Sequence, residues 1–256
     1  MIRNPVWRFL IALAVTVPVL LIPRPLRGET SVIQLLLNAS QAVVSIEAQA
    51  ATVFTDKPKA FIHKETGALL VQRKMRPVMQ TRAGGGFIIH PSGLIVTNAH
   101  TIMGAGRVLV TLFDQTKTEA SVVKVVPDED LALLQIKVPA KLPAIPLADS
   151  NQVQLDMRVF SVGSSQILKN TLSEGKITGI GMSKKMEKKE KGYVGLIQAS
   201  FDIYQGDSGS PLLNEKGELV GLMAAKAIFQ RKVTYAIPSN KIAKAFEEQL
   251  KAVALL

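Results

Sequence analysis

The sequence predicts an all-β protein of the barrel or sandwich class. Three observations carry this expectation. Apolar or alternating runs of strand length recur through most of the chain, among them Phe87–Ile89, Leu94–Thr97, Val108–Phe113 and Ala120–Val126. Turn-forming groups such as Pro91-Ser92-Gly93 and Asn214-Glu215-Lys216-Gly217 separate them. Helical spacing is confined to the two ends.

A chain of 256 residues, 47% of them hydrophobic, can bury a large core in one large or two small domains. The absence of cysteine excludes disulfides and Cys-ligated zinc. A net charge of +11 and a pI near 9.8 favour anionic membranes, cell-wall polymers or nucleic acid as contacts. Three Tyr and one Trp offer few surfaces on which bases could stack, so nucleic acid is not expected as a partner.

Residues 1–27 read as a targeting segment. Arg3 and Arg8 precede an apolar run from Phe9 to Ile22, which suits either a signal peptide or an N-terminal membrane anchor. Both readings put residues 28–256 outside the cytoplasm, in a periplasm or cell envelope. Val32, Leu35, Leu36 and Ala39 share one face of a helix expected over Ser31–Ala42. Val43–Ala48 alternates as a first strand. Between Ala51 and Arg82 the composition turns to Lys, Arg, Pro and polar residues, which predicts a long surface loop with a hairpin at Gly67.

The densest stretch follows. Gly84-Gly85-Gly86 leads into Phe87–Ile89, a turn, the return strand Leu94–Thr97, and then His100. A histidine where a hairpin gives way to a loop can face a cleft. His90 and His63 read as surface histidines. Further on, the acidic group Asp128-Glu129-Asp130 enters the apolar strand Leu131–Ile136 directly. Asp130 is the carboxylate drawn inward, and a buried Asp needs a partner. A ring N–H of His100 would serve, and would fix that imidazole's tautomer. Asp128 and Glu129 read as a solvated turn.

Val153–Val162, Leu172–Ile180, Gly195–Ala199, Leu212–Asn214, Leu219–Ala224 and Thr234–Ile237 read as the remaining strands, and Lys184–Lys191 as a solvated loop tip. Ser239 is placed to cap a closing helix carrying Ile242, Phe246, Leu250 and Val253 at helical spacing. Before that helix lies Asp202-Ile203-Tyr204-Gln205-Gly206-Asp207-Ser208-Gly209-Ser210-Pro211. Gly206 and Gly209 let the backbone turn tightly about Ser208, so that neighbouring N–H groups can face one substrate oxygen.

The order His, Asp, Ser, ending in Gly-Asp-Ser-Gly, resembles the chymotrypsin-like (trypsin-like) serine proteases. The closest resemblance is to their HtrA/Deg branch, through Thr97-Asn98-Ala99-His100, Asp130-Leu131-Ala132-Leu133-Leu134, Leu196-Ile197-Gln198, the segment Gly206–Leu212, and Tyr235-Ala236-Ile237-Pro238-Ser239. The resemblance implies two six-stranded antiparallel β-barrels, roughly 31–140 and 141–240, followed by a C-terminal helix over 239–254. It implies a serine endopeptidase acting on protein or peptide substrates, without metal or cofactor. Ser208 would be the nucleophile, His100 the general base and acid, and Asp130 its orienting partner. The N–H groups of Gly206 and Ser208 would form the oxyanion hole, and Asp202 and Tyr204 would contact substrate. HtrA-type proteins are commonly homotrimers, and a trimer is carried as an expectation.

The chain also departs from the branch. No PDZ domain is expected after the final helix. Asp207 stands where HtrA-type enzymes usually have Asn, and Ser164-Ser165-Gln166-Ile167 replaces their Asn-Pro-Phe-Gly segment. Asp202 occupies the floor position of the primary specificity pocket, where Asp selects Arg or Lys in trypsin-like enzymes; the HtrA branch prefers aliphatic side chains. Both specificities stay open. A second class of function also stays open, a non-catalytic protein-binding or chaperone module on a protease scaffold. The presence of all three catalytic residue types argues against it.

Overall fold

The structure is a computed structural model, and it describes residues 27–55, 57–72, 74–163, 171–184, 193–200, 208–226 and 233–254. The targeting segment up to residue 26, the loop replacing Asn-Pro-Phe-Gly, residues 185–191 of the charged tip and the stretch from Phe201 to Asp207 lie outside the described residues.

Two closed six-stranded antiparallel barrels form a chymotrypsin-like fold. The first contains β1 (Val43–Thr55), β4 (Met75–His90), β5 (Leu94–Asn98), β6 (Arg107–Thr111), β7 (Lys117–Val126) and β8 (Leu131–Ile136), closed in the order β1-β4-β5-β8-β7-β6. The second contains β9 (Arg158–Val162), β10 (Leu172–Lys184), β11 (Tyr193–Ala199), β12 (Pro211–Leu213), β13 (Leu219–Lys226) and β14 (Thr234–Pro238), closed as β10-β11-β14-β13-β12-β9. Closure removes the free edges that a sheet would otherwise expose.

The sequence pattern explains these elements. Leu131, Ala132, Leu133 and Leu134 are fully buried, which is why β8 reads as a continuous apolar run rather than an alternating one. The main core joins first-barrel residues such as Ile46, Phe87, Val96 and Leu134 to Leu213, Leu219 and Ile237 of the second barrel. A smaller core of Val159, Ile177, Ile197 and Val220 fills the second barrel. Between the barrels the connecting segment is stitched at both ends: Ile145 N–H donates to the Ile88 carbonyl, and Leu219 N–H to that of Pro146.

Several boundaries differ from expectation. The N-terminal helix α1 runs Arg27–Ser40, with Leu36 and Ala39 buried and Leu35 exposed. The strand expected from Val153 begins only at Arg158. A 3₁₀ turn at Ser150–Gln152, begun by the Asp149 carboxylate accepting from Asn151 N–H, ends at Val153, and a turn at residues 155–156, with Asp156 at φ 62°, occupies the intervening chain. A short helix, α2 (Ala99–Ile102), carries His100 in the middle of the chain, where no helix was expected.

The closing helix is two helices, α3 (Ser239–Ala245) and α4 (Glu247–Ala254), broken at Phe246. Ser239 does not cap it. Pro238 holds the N-cap position, and the buried Ser239 hydroxyl donates to the Ala148 carbonyl at 2.7 Å.

Residues 51–82 depart furthest from the loop expected of them. They are not a loop: β1 and β4 continue their ladder outward from Ala50↔Gln80 to Thr55↔Met75. A second pair, β2 (Lys59–Ile62) with β3 (Leu69–Gln72), forms the hairpin expected around Gly67. Backbone ladder bonds hold this arm, so its polar and basic side chains need no inward-facing periodicity.

Candidate active site

The ladder between β5 and β8 sets Asn98 opposite Leu131. One step beyond that pair, the chain after β5 turns into α2 and the chain before β8 leaves a 3₁₀ turn at Pro127–Glu129. This register brings His100 to Asp130. Asp130 has left-handed backbone angles, φ 55° and ψ 39°, a conformation that Asp tolerates better than most residues.

Both ends of Asp130 are then held by three consecutive residues. Its backbone carbonyl accepts from Ala99 N–H at 3.0 Å and from the Asn98 side-chain amide at 3.4 Å. Its carboxylate accepts from His100 N–H at 2.9 Å through Oδ1, and lies 2.8 Å from His100 Nδ1 through Oδ2. The Asp130 side chain is 2% exposed and that of His100 is 48% exposed. One carboxylate is thus enclosed and committed, while the far edge of the imidazole is open to a ligand. With Nδ1–H donating to Asp130, the neutral ring presents Nε2 as an acceptor.

The Ser208 loop of the second barrel is docked onto the same strands. Ser208 is half-buried, and its carbonyl accepts from Gly85 N–H at 2.7 Å. Gly85 passes the contact on, its carbonyl accepting from the Thr97 hydroxyl at 2.7 Å, three residues before His100. Gly209 has φ +92°, and a Cβ there would stand 2.0 Å from the Gly85 carbonyl oxygen. Gly209 N–H donates to the Met223 carbonyl, and Met223 N–H donates to that of Ser210. Residues 208–210 are therefore held by β4 on one side and β13 on the other.

Some participants were missed by sequence reasoning. Gly84 admits the Thr101 side chain, which would lie 2.7 Å from a Cβ, so the triple glycine lets β4 pass close to both α2 and the Ser208 loop. The run of three glycines beside a strand was the available signal. Arg82, at the root of the arm, donates to the His100 carbonyl at 3.1 Å. Lys241 of α3 donates to the Glu129 carboxylate at 3.1 Å and to the Val194 carbonyl at 2.6 Å. That bridge ties the turn before Asp130 to the second barrel, and Glu129 is not merely solvated. Among the described residues the rings of His90 and His63 bond to their local neighbours Ser92 and Thr66. Asp202, Tyr204 and Gly206 lie outside the described residues.

Comparison with known proteins gives a consistent set of relatives. Residues 84–222 match the family described as Trypsin-like peptidase domain. Serine protease HTRA1A of Danio rerio is 33% identical over 199 residues, 76% of this chain and 40% of its own length. HhoA of Synechocystis is 33% identical over 233 residues, 89% of this chain and 58% of its own. An HtrA-type protease, AlgW, solved with a decapeptide, shares the fold with a TM-score of 0.68 at 23% identity, covering 86% of this chain and 67% of that one. The chain spans less than two thirds of the length of these sequence relatives.

Proposed function

Because this chain belongs to the family of trypsin-like peptidase domains, we propose that it is a serine endopeptidase of HtrA type acting on proteins outside the cytoplasm. The observation that carries the reading is the His100–Asp130 pair, a solvent-facing imidazole whose Nδ1 and backbone N–H both meet one enclosed carboxylate.

In the proposed reaction Ser208 Oγ attacks the scissile carbonyl carbon as its proton passes to His100 Nε2. The oxyanion is met by the N–H groups of Ser208 and Gly206. Asp130 stabilises the resulting imidazolium. His100 then returns the proton to the leaving amine, and water repeats the sequence on the acyl-enzyme. The grip of Gly85 and Met223 on residues 208–210 supports a fixed backbone at the attacking residue. Asp202 and Tyr204 are proposed to contact the substrate residue before the cleaved bond. The segment 1–27 is proposed to deliver the chain to the envelope or to anchor it there, and a homotrimer remains part of the reading.

A fluorophosphonate probe tests it. The full chain should be labelled, and Ser208→Ala should not, with turnover of a casein-type substrate falling on the order of 10⁶-fold. A parent chain that folds, binds unfolded protein and resists the probe would instead fit a binding module on a protease scaffold. Peptides varied before the scissile bond separate basic from aliphatic preference at Asp202.

A further inference from the structure

The arm formed by residues 50–82 has more exposed apolar surface than a solvated ribbon needs. β1 pairs with β6 only from Ser45 to Gln49. Beyond that point its paired neighbour is β4, so the ribbon leaves the barrel as two strands. Directly paired residues share a face. Val53↔Pro77 and Ala51↔Met79, with Met75 two residues before Pro77, therefore make one face of the stem, and Ala60↔Val71 and Ile62↔Leu69 one face of the tip. Val53, Met75, Met79, Ile62, Leu69 and Val71 are each at least 60% exposed. Two-stranded ribbons are marginal alone in water, and contiguous exposed apolar side chains mark contact surfaces.

Charge decides what covers them. Residues 51–82 contain seven Lys or Arg against Asp56 and Glu65, in a chain whose net charge is +11. A second copy would bring like charge to like charge. An anionic surface is attracted, and only one with an apolar interior also takes up the aliphatic faces. Cations flanking exposed aliphatic residues are the pattern of segments that lie in the interface of an anionic bilayer. We propose that the arm is a membrane-docking element whose tip inserts among anionic lipid headgroups. This site is separate from residues 1–27 and independent of the peptidase reading.

The test uses the full chain, which has no cysteine, with Leu69→Cys labelled by an environment-sensitive fluorophore. Vesicles of about equal parts phosphatidylglycerol and phosphatidylcholine should shift its emission to the blue. Half-saturation should be at least tenfold weaker on phosphatidylcholine alone, because each cation near an anionic leaflet strengthens binding on the order of fivefold. The same label at Leu155→Cys, 61% exposed in the turn before β9, should stay silent even when residues 1–27 hold the chain on the vesicle. Ile62→Glu in the Leu69→Cys chain should weaken the response on the order of tenfold, with far-UV circular dichroism unchanged. A silent Leu69 label on chains that float with vesicles would overturn the proposal. So would an equal response to both vesicle types, or a shift without vesicles that grows with protein concentration, which would indicate a second copy.

Discussion

Replacing Asp130 by Asn tests the central geometry with almost no change in shape. The carboxylate faces two groups of one residue: the His100 backbone N–H at 2.9 Å and His100 Nδ1 at 2.8 Å. Asn offers one acceptor oxygen and one NH₂. The backbone amide can only donate, so the oxygen must serve it, which turns the NH₂ toward Nδ1. Nδ1 must then accept, and the neutral ring's proton moves to Nε2, the atom that in the proposed reaction takes the proton from Ser208. The enclosed site, with its Asp130 side chain 2% exposed, has little room to rearrange. Loss of the productive tautomer should cost about 10⁴ in acylation rate, or about 5.4 kcal/mol of barrier. Stability should change far less, by about 1–3 kcal/mol for the lost charged hydrogen bonding. The assay is the second-order rate of fluorophosphonate labelling at Ser208, with thermal melting in parallel. A folded Asp130→Asn chain that labels within tenfold of the parent would show that the Asp130–His100 contact does not set the base.

Two further substitutions probe how the barrels deliver these groups. Gly209→Ala puts a methyl 2.0 Å from the Gly85 carbonyl oxygen at a residue with φ +92°; it should destabilise the chain by about 3–5 kcal/mol and abolish labelling. The control Gly67→Ala has φ +68° but nothing within 4 Å of the new atom, so it should cost about 1 kcal/mol by calorimetry and leave labelling intact. Lys241→Met removes the bridge to Glu129 and Val194 while keeping an apolar stem. It should lower kcat/KM roughly three- to tenfold with less than about 1 kcal/mol of stability lost. Glu129→Gln should do the same, and the double variant should be no worse than either, as expected of a shared interaction.

The parts of the fold legible in the sequence are those where one residue's surroundings are set by its near neighbours. Strand alternation and turn residues marked the barrel strands because each strand meets the core on a fixed face. The Asn214 turn was readable because Asn214 Oδ1 accepts from Lys216 and Glu218 N–H groups within the same few residues. Legibility failed where the decisive partner is distant. Ser239 has the chemistry of a cap, but Pro238 precedes it and the Ala148 carbonyl captures its hydroxyl. The arm has no core to face, and the apolar residues that alternate onto one of its faces are diluted by Lys, Arg and Pro, so its composition reads as that of a loop. Glu129 looked solvated because its cation lies in α3, beyond the whole second barrel.

The same distinction explains how the candidate site is put together. The His100–Asp130 contact is internal to the first barrel and follows from the β5–β8 register. Ser208 belongs to the second barrel and reaches the first through a chain of backbone contacts, Ser208 carbonyl to Gly85 N–H and Gly85 carbonyl to the Thr97 hydroxyl. Neither barrel alone would hold all three groups in place. The spacing of Ser208 and His100 therefore depends on the fit between two glycine-bearing backbones, Gly84–Gly86 and Gly209, where no side chain intervenes to absorb error. A perturbation that separates the barrels by a fraction of an ångström should weaken Ser208 reactivity while leaving the His100–Asp130 bond intact. The Lys241 bridge, spanning the two barrels beside Asp130, is the side-chain contact through which that slack can be varied without touching a reacting group.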